Sequence, residues 1–288
     1  MRHLLFLLLF LTVAPRVKAQ KDSINIYLNF QDLWGLDLKS GSFSANFYTM
    51  MEQRDGPAPT LYYLNGKVDT LYTERVNHYF ESWNQGEFRT DINFANYPLD
   101  KQNLEIVIEP EWNYDSLVLF SRNNENILIG KDHLVGWKIN RIMANSSVHT
   151  YKYFNSYTHR EESRYSRMVF TVEIEREHKW VYFLKLFFPS FISMLILMIG
   201  FLIPPENIET RYGLGVASIF GVISSLILIQ QNLPELAGIT LIEILNYIAI
   251  VTVFATLVIF GLSYRMSKKE KATGKFERIS LIALLLFY

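Results

Sequence analysis

Cysteine is absent from all 288 residues, so no disulfide braces this fold and core packing has to hold it. A charge of one sign is missing too. Lys and Arg total 28 against 28 Asp and Glu, and no basic excess points to a nucleic-acid partner. The six His lie far apart without metal-ligand spacing, so no metal ion is expected. There is no His-Glu-x-x-His, no phosphate loop and no nucleophile elbow. Gly213 and Gly215 begin a Gly-x-Gly, but Ser218 stands where the third glycine would, in an apolar helical stretch rather than a strand-to-helix turn. Neither an enzyme nor a cofactor is expected.

What the chain has is apolar sequence, gathered at its start and after Trp180. Arg2 and His3, the run Leu4 to Ala14 and then Val17-Lys18-Ala19 have the parts of a secretory signal peptide over 1–19, cleaved before Gln20. Residues 20–178 read as an exported domain with period two: Ile24, Ile26, Leu28 and Phe30, then Leu104, Ile106 and Ile108, then Met168, Phe170, Val172 and Ile174. Strands that bury one face predict antiparallel sheets packed as a β-sandwich. Turns are predicted at Lys39-Ser40-Gly41, Asp55-Gly56-Pro57, Asn84-Gln85-Gly86 and Arg122-Asn123-Asn124. Most of the domain's aromatics suit a core. Trp112 and Tyr165 have polar, turn-like neighbours and suit a site, where a cation over a ring gains on the order of 0.5 to 2 kcal/mol.

Residues 179–264 read as a membrane domain, with spans at about 181–203, 209–231 and 238–264; Pro189 interrupts the first. The basic residues Arg265, Lys268, Lys269, Lys271 and Lys275 mark 265–275 as a cytoplasmic loop. An exported N-terminal domain followed by three crossings gives the same orientation: a multi-pass protein of the cell membrane with an extracellular or periplasmic N-terminal domain. The apolar end at 276–288 is about half the length a span needs and reads as a fourth helix cut short.

One face of the second span carries Glu209, Gly213, Ala217, Phe220, Ser224, Ile227 and Gln231, at spacings of four and three. A lipid-facing stripe has no use for Glu and Gln at its ends or for Gly, Ala and Ser within it, although small residues also serve helix packing. With several copies around an axis, the stripe becomes a conduit. Phe220 then forms a dewetting constriction at mid-height, and Glu209 a ring that attracts cations. Arg211 points away from Glu209, toward a neighbour or the headgroups.

Taken together, the chain from Ile24 onward resembles a subunit of the pentameric ligand-gated ion channels, the Cys-loop receptor superfamily, in its bacterial form. The most specific marks are Tyr97-Pro98-Leu99-Asp100 within 93–102, with both flanking cysteines absent, and Arg211-Tyr-Gly-Leu-Gly215. Pro59 and Asn65, Trp112 to Asp115, Gly136-Trp137, Arg176, Pro189 and Pro234 follow in the family's order. The resemblance implies a homo-oligomer, a pentamer in membrane lipid, with Phe220 at the central gate. It implies a small-molecule or ion agonist at an inter-subunit pocket of Trp112, Tyr157 and Tyr165, joined by Tyr62 or Tyr63. It also implies coupling through Asp100 and Arg176 near Pro234. Pro57 and Met51 depart from the family's pattern at that pocket. Glu209-Thr210 before Arg211 favours cations, whereas Gly-Leu-Gly after it is more like the anion channels. A non-conducting membrane receptor, an anion channel and an intramembrane enzyme using Glu243 and Asn246 are the alternatives.

Overall fold

The computed structural model describes residues 22–52, 57–122, 127–128, 133–155, 160–234, 238–269 and 272–287. Ten strands come first: β1 (Asp22–Asp37), β2 (Ser42–Glu52), β3 (Leu61–Tyr63), β4 (Gly66–Val76), β5 (Tyr79–Arg89), β6 (Lys101–Pro110), β7 (Leu117–Phe120), β8 (Ile127–Leu128), β9 (Trp137–Asn155) and β10 (Arg160–Arg176). Four helices follow: α1 (Lys179–Ile199), α2 (Ile208–Gln230), α3 (Leu241–Ser267) and α4 (Gly274–Phe287).

The alternating apolar positions bury one side of each strand. Ile24, Ile26, Leu28 and Phe30 of β1, with Phe43, Phe47 and Phe88, meet Leu104, Ile106 and Ile108 of β6 and Met168, Phe170, Val172 and Ile174 of β10. Each such side chain contributes about 1.5–3 kcal/mol by leaving water, which is how a cysteine-free domain holds together. One sheet has the order β4-β5-β2-β1-β7 with β8 also on β1, and the other β3-β6-β10-β9.

Two expectations need correction. The sheets are not wholly antiparallel, because β7 and β8 both pair with β1 in parallel. Alternation encodes which face is buried and carries no information about a partner's direction. The turn expected at Asn84-Gln85-Gly86 is the middle of β5. Asn84 is buried there and donates to Thr49 Oγ1 at 3.1 Å, and Gly86 lies so close to Lys67 O and Val68 that a side chain would not fit. Those turn-like residues are there for a buried hydrogen bond and a close strand approach. Of the other turns, Lys39-Ser40-Gly41 joins β1 to β2, with Gly41 at φ +66°; Asp55-Gly56 and Asn123-Asn124 lie outside the described residues.

Three helices, Lys179–Leu202 including a final 3-10 turn, Ile208–Gln230 and Leu241–Ser267, are long and apolar enough to cross a membrane. The chain is a β plus α membrane protein. Its two parts are joined by a mixed cluster in which Phe94 and Tyr97 pack with Leu186, Ile229, Leu233 and Ile242. The first amides of α3 lack partners within the helix, and the sandwich supplies them: Leu241 N donates to Ala95 O at 3.0 Å and Ile242 N to Tyr97 O at 3.3 Å. Thr240 and Glu243 complete that end as a capping box. Asn246 is buried and donates to Ile242 O at 2.9 Å. Glu243 and Asn246 are thus engaged in building the start of α3.

Candidate functional site

Helix α2 has two chemically different faces. Arg211, Gly215, Ser218, Val222, Ser225 and Ile229 are buried against the other helices. Ser218 Oγ donates to Ser193 O at 2.8 Å and Ser225 Oγ to Leu186 O at 3.0 Å, so the hydroxyls bind α1 through its backbone. Gly221 crosses Ser193 so closely that a methyl group would overlap it. The opposite face holds Glu209, Gly213, Ala217, Phe220, Ser224, Ile227 and Gln231, all exposed, with Phe220 at 66%. Ser224 Oγ donates to Phe220 O at 2.8 Å, which leaves its oxygen outward as an acceptor.

Arg211 is on the packed face and fully buried. Its guanidinium donates to Glu277 Oε1 of α4 at 2.6 Å and to Ile203 O at 3.0 Å, and it lies 4.9 Å from the centre of the Phe260 ring. Ser263 also hydrogen-bonds Glu277. The neighbour that Arg211 faces is therefore a carboxylate of the same chain. Within a membrane an unpaired charge would be costly, and this pair spans the sandwich-distal ends of α2, α3 and α4.

At the sandwich-helix boundary, Arg176 Nε donates to Asp100 Oδ1 at 3.2 Å, with both side chains largely buried. Its guanidinium also sits 4.4 Å from the Trp137 ring, 5.0 Å from Tyr182 and 5.1 Å from Tyr97. Tyr97 and Tyr182 hydroxyls hydrogen-bond at 3.0 Å. Burial first, and then that bond, push the Tyr97 hydroxyl well above its ordinary pKa. Gln102 holds the second Asp100 oxygen and ties it to Asn93. Pro234 lines a cavity of about 740 Å³ at the boundary with Leu38, Asp91, Phe94 and Ile239.

The outer face of the β3-β6-β10-β9 sheet carries the aromatic candidates. Register decides which tyrosine of β3 joins it: Tyr62 pairs with outward Glu109, Tyr63 with inward Ile108. Tyr63 packs beside Phe47 and Phe88, bonds Thr49, and has its hydroxyl pushed up to about 12 by burial. Tyr62 is exposed. Tyr165 stands edge-on to Tyr151, ring centres 5.8 Å apart. Trp112 is on the loop whose Tyr114 N donates to Arg164 O at 2.7 Å, which brings that loop beside the strand position before Tyr165. Tyr157 lies outside the described residues.

Sequence reasoning missed two networks. Glu109, only 4% exposed, accepts from Arg167 Nε at 2.7 Å and from the Tyr151 hydroxyl at 3.0 Å. Alternation marked Glu109 as solvent-facing, and only strand register shows that Arg167 covers it. The Arg211–Glu277 pair joins residues 66 apart; its one local signal was an arginine inside an apolar span.

No protein-family model matches the chain. It is similar to the acetylcholine-gated chloride channel subunit acc-2 of Caenorhabditis elegans, at 24% identity over 216 residues. That match covers 73% of this chain and 44% of the relative, so the chain spans less than half of that protein's length. The relative is a channel subunit rather than an enzyme, and with three membrane-length helices the likeness supports a multi-pass membrane protein. A β-sandwich ahead of apolar helices, weakly homologous to such a subunit, fits the Cys-loop receptor superfamily.

Proposed function

We propose that this chain is one subunit of a homopentameric ligand-gated ion channel, that α2 lines the pore, and that the pore selects cations. The observation that carries this reading is the two-faced α2. Gly215, Ser218, Val222 and Ser225 pack inward on its own chain's helices, while the striped face from Glu209 to Gln231 is left open. Five such faces around an axis form a conduit with Phe220 at the dewetting constriction and Glu209 at the sandwich-distal mouth. A receptor that merely anchors a ligand-binding domain needs one crossing and no such face.

Selectivity rests on which charge meets the conduit. Arg211 is buried with Glu277, which leaves Glu209 as the charged member of the open stripe. The chloride channel relative favours the opposite, anion reading. The N-terminal domain is extracellular or periplasmic in this scheme. It receives a small-molecule or ion agonist between subunits against Trp112, Tyr62 and Tyr165, with Tyr63 supporting Tyr62 from the core side.

Expression in oocytes, with steps of pH and calcium followed by amines, is expected to evoke current. In asymmetric NaCl the current should reverse near the sodium equilibrium potential, and Glu209→Gln should move the reversal toward zero. A reversal that tracks chloride sinks cation selectivity alone. A chain that reaches the surface and passes no current under any stimulus, including after Phe220→Ala, sinks conduction.

A further inference from the structure

Glu209 and Arg211 are two residues apart on α2, so about 3 Å separates them along the helix axis while their side chains leave opposite faces. At the proposed mouth a fixed cation therefore stands behind the carboxylate, set back by about 10 Å, the width of a helix. That is roughly the Debye length at 0.1 M salt, and the space between is protein rather than electrolyte, so screening is weak. Burial hides the guanidinium from ions without removing its field. Cancelling the field takes an opposite charge held beside it.

Helix α4 supplies that charge. Glu277 lies in its first turn, where the helix dipole favours a carboxylate, and Glu277 Oε1 accepts from Arg211 Nη1 at 2.6 Å. Ser263 of α3 donates to the same oxygen and fixes its place. Arg211 Nε and Nη2 both donate to Ile203 O, so the guanidinium is held where the carboxylate meets it. Glu206 also lies within electrostatic reach of Arg211, but it is exposed to solvent and bonded to Ser267. We propose that Glu277 determines ion selectivity as a positioning residue outside the conduit: it cancels the field of Arg211 at the mouth and leaves Glu209 to set the sign of the permeant ion. This rests on the reading of α2 as the lining of a cation-selective pore.

Full-length wild type and variants in oocytes are compared by reversal potential in asymmetric NaCl, with surface labelling alongside. Glu277→Gln should lower the cation-to-anion permeability ratio roughly fivefold, and Glu277→Asp should hold it near wild type. Arg211→Gln, which leaves the carboxylate uncompensated, should shift the ratio the other way. The double variant Arg211→Gln with Glu277→Gln should return it toward wild type. Opposite shifts that cancel are the mark of charge; a role in packing alone changes surface amount or activation and leaves the reversal potential in place. If Glu277→Gln fails to reach the surface, Arg211→Gln and the double variant carry the comparison. A conducting, cation-selective wild type whose reversal potential the folded single variants leave unmoved overturns this inference while the channel reading stands. A wild type that passes no current, or whose reversal tracks chloride, sinks the underlying reading and this inference with it.

Discussion

Arg211 of α2 and Glu277 of α4 form a 2.6 Å ion pair whose guanidinium is wholly removed from solvent. The carbonyl of Ile203 and the face of Phe260 take up the rest of the guanidinium. The shortest of the four helices is thereby fastened to the one proposed to line the pore.

Removing one partner leaves a buried charge without compensation, a cost of about 3–5 kcal/mol. Glu277→Ala should therefore lower the thermal unfolding midpoint of the detergent-solubilised protein by several degrees. The double variant Arg211→Met with Glu277→Met should recover much of that loss, because no lone charge remains. A midpoint that Glu277→Ala leaves unchanged would show that solvent or lipid already neutralises Arg211.

Phe220 is the bulkiest member of the open α2 face. Phe220→Ala replaces a ring by a methyl group at the proposed constriction, so water should persist there and the resting leak should rise several-fold. Surface labelling together with current recording measures this. A protein present at the surface with wild-type leak and gating would move the gate elsewhere on the helix.

Asp100→Asn keeps the shape of the Arg176 contact and removes its charge. Hydrogen bonds to charged groups contribute about 1.5–3 kcal/mol, so the activation midpoint should shift roughly tenfold or more. Single-channel conductance should stay as it was, because the pair lies outside the conduit. A changed conductance with an unchanged midpoint would argue that the pair has no part in gating.

Acid should loosen the sandwich through the outer face of β10. A hydrogen bond from Lys138, helped by the nearby charge of Lys179, holds Glu175 at about 2 instead of 4.5, and Arg141 pulls Glu173 down in the same direction. The folded state thus binds fewer protons than the unfolded chain. The stabilisation is fully present above pH 4.5 and is lost as pH falls toward 2. Circular dichroism melts across that range should show a declining midpoint, with a shallower decline in Glu175→Gln; parallel curves would assign the acid sensitivity to other groups.

How far the sequence was legible depended on the range of the signal. Strands from Ile24, Leu104 and Met168 could be read because burial of one face repeats every second residue, and the helices because a membrane requires a long uncharged run. The open face of α2 also follows from spacing alone. Pairings between distant segments were not readable: the parallel contact of β1 with β7, the covering of Glu109 by Arg167, and the meeting of Arg211 with Glu277 all depend on register or packing. Asn84-Gln85-Gly86 misled for a related reason. Turn residues are chosen for small size and hydrogen bonding, and a crowded strand can require the same properties.

Arg176 ends β10, and after Glu177 and His178 alone, α1 begins. That arginine is wedged among Trp137, Tyr97 and Tyr182, so the short joint between strand and helix is filled by packed rings. In the proposed channel, a twist of the outer sheet would be passed to α1 at this joint, and the first place in that helix without a backbone amide hydrogen bond is Pro189. One turn further on, Ser193 lies against Gly221 of α2, the helix proposed to line the pore.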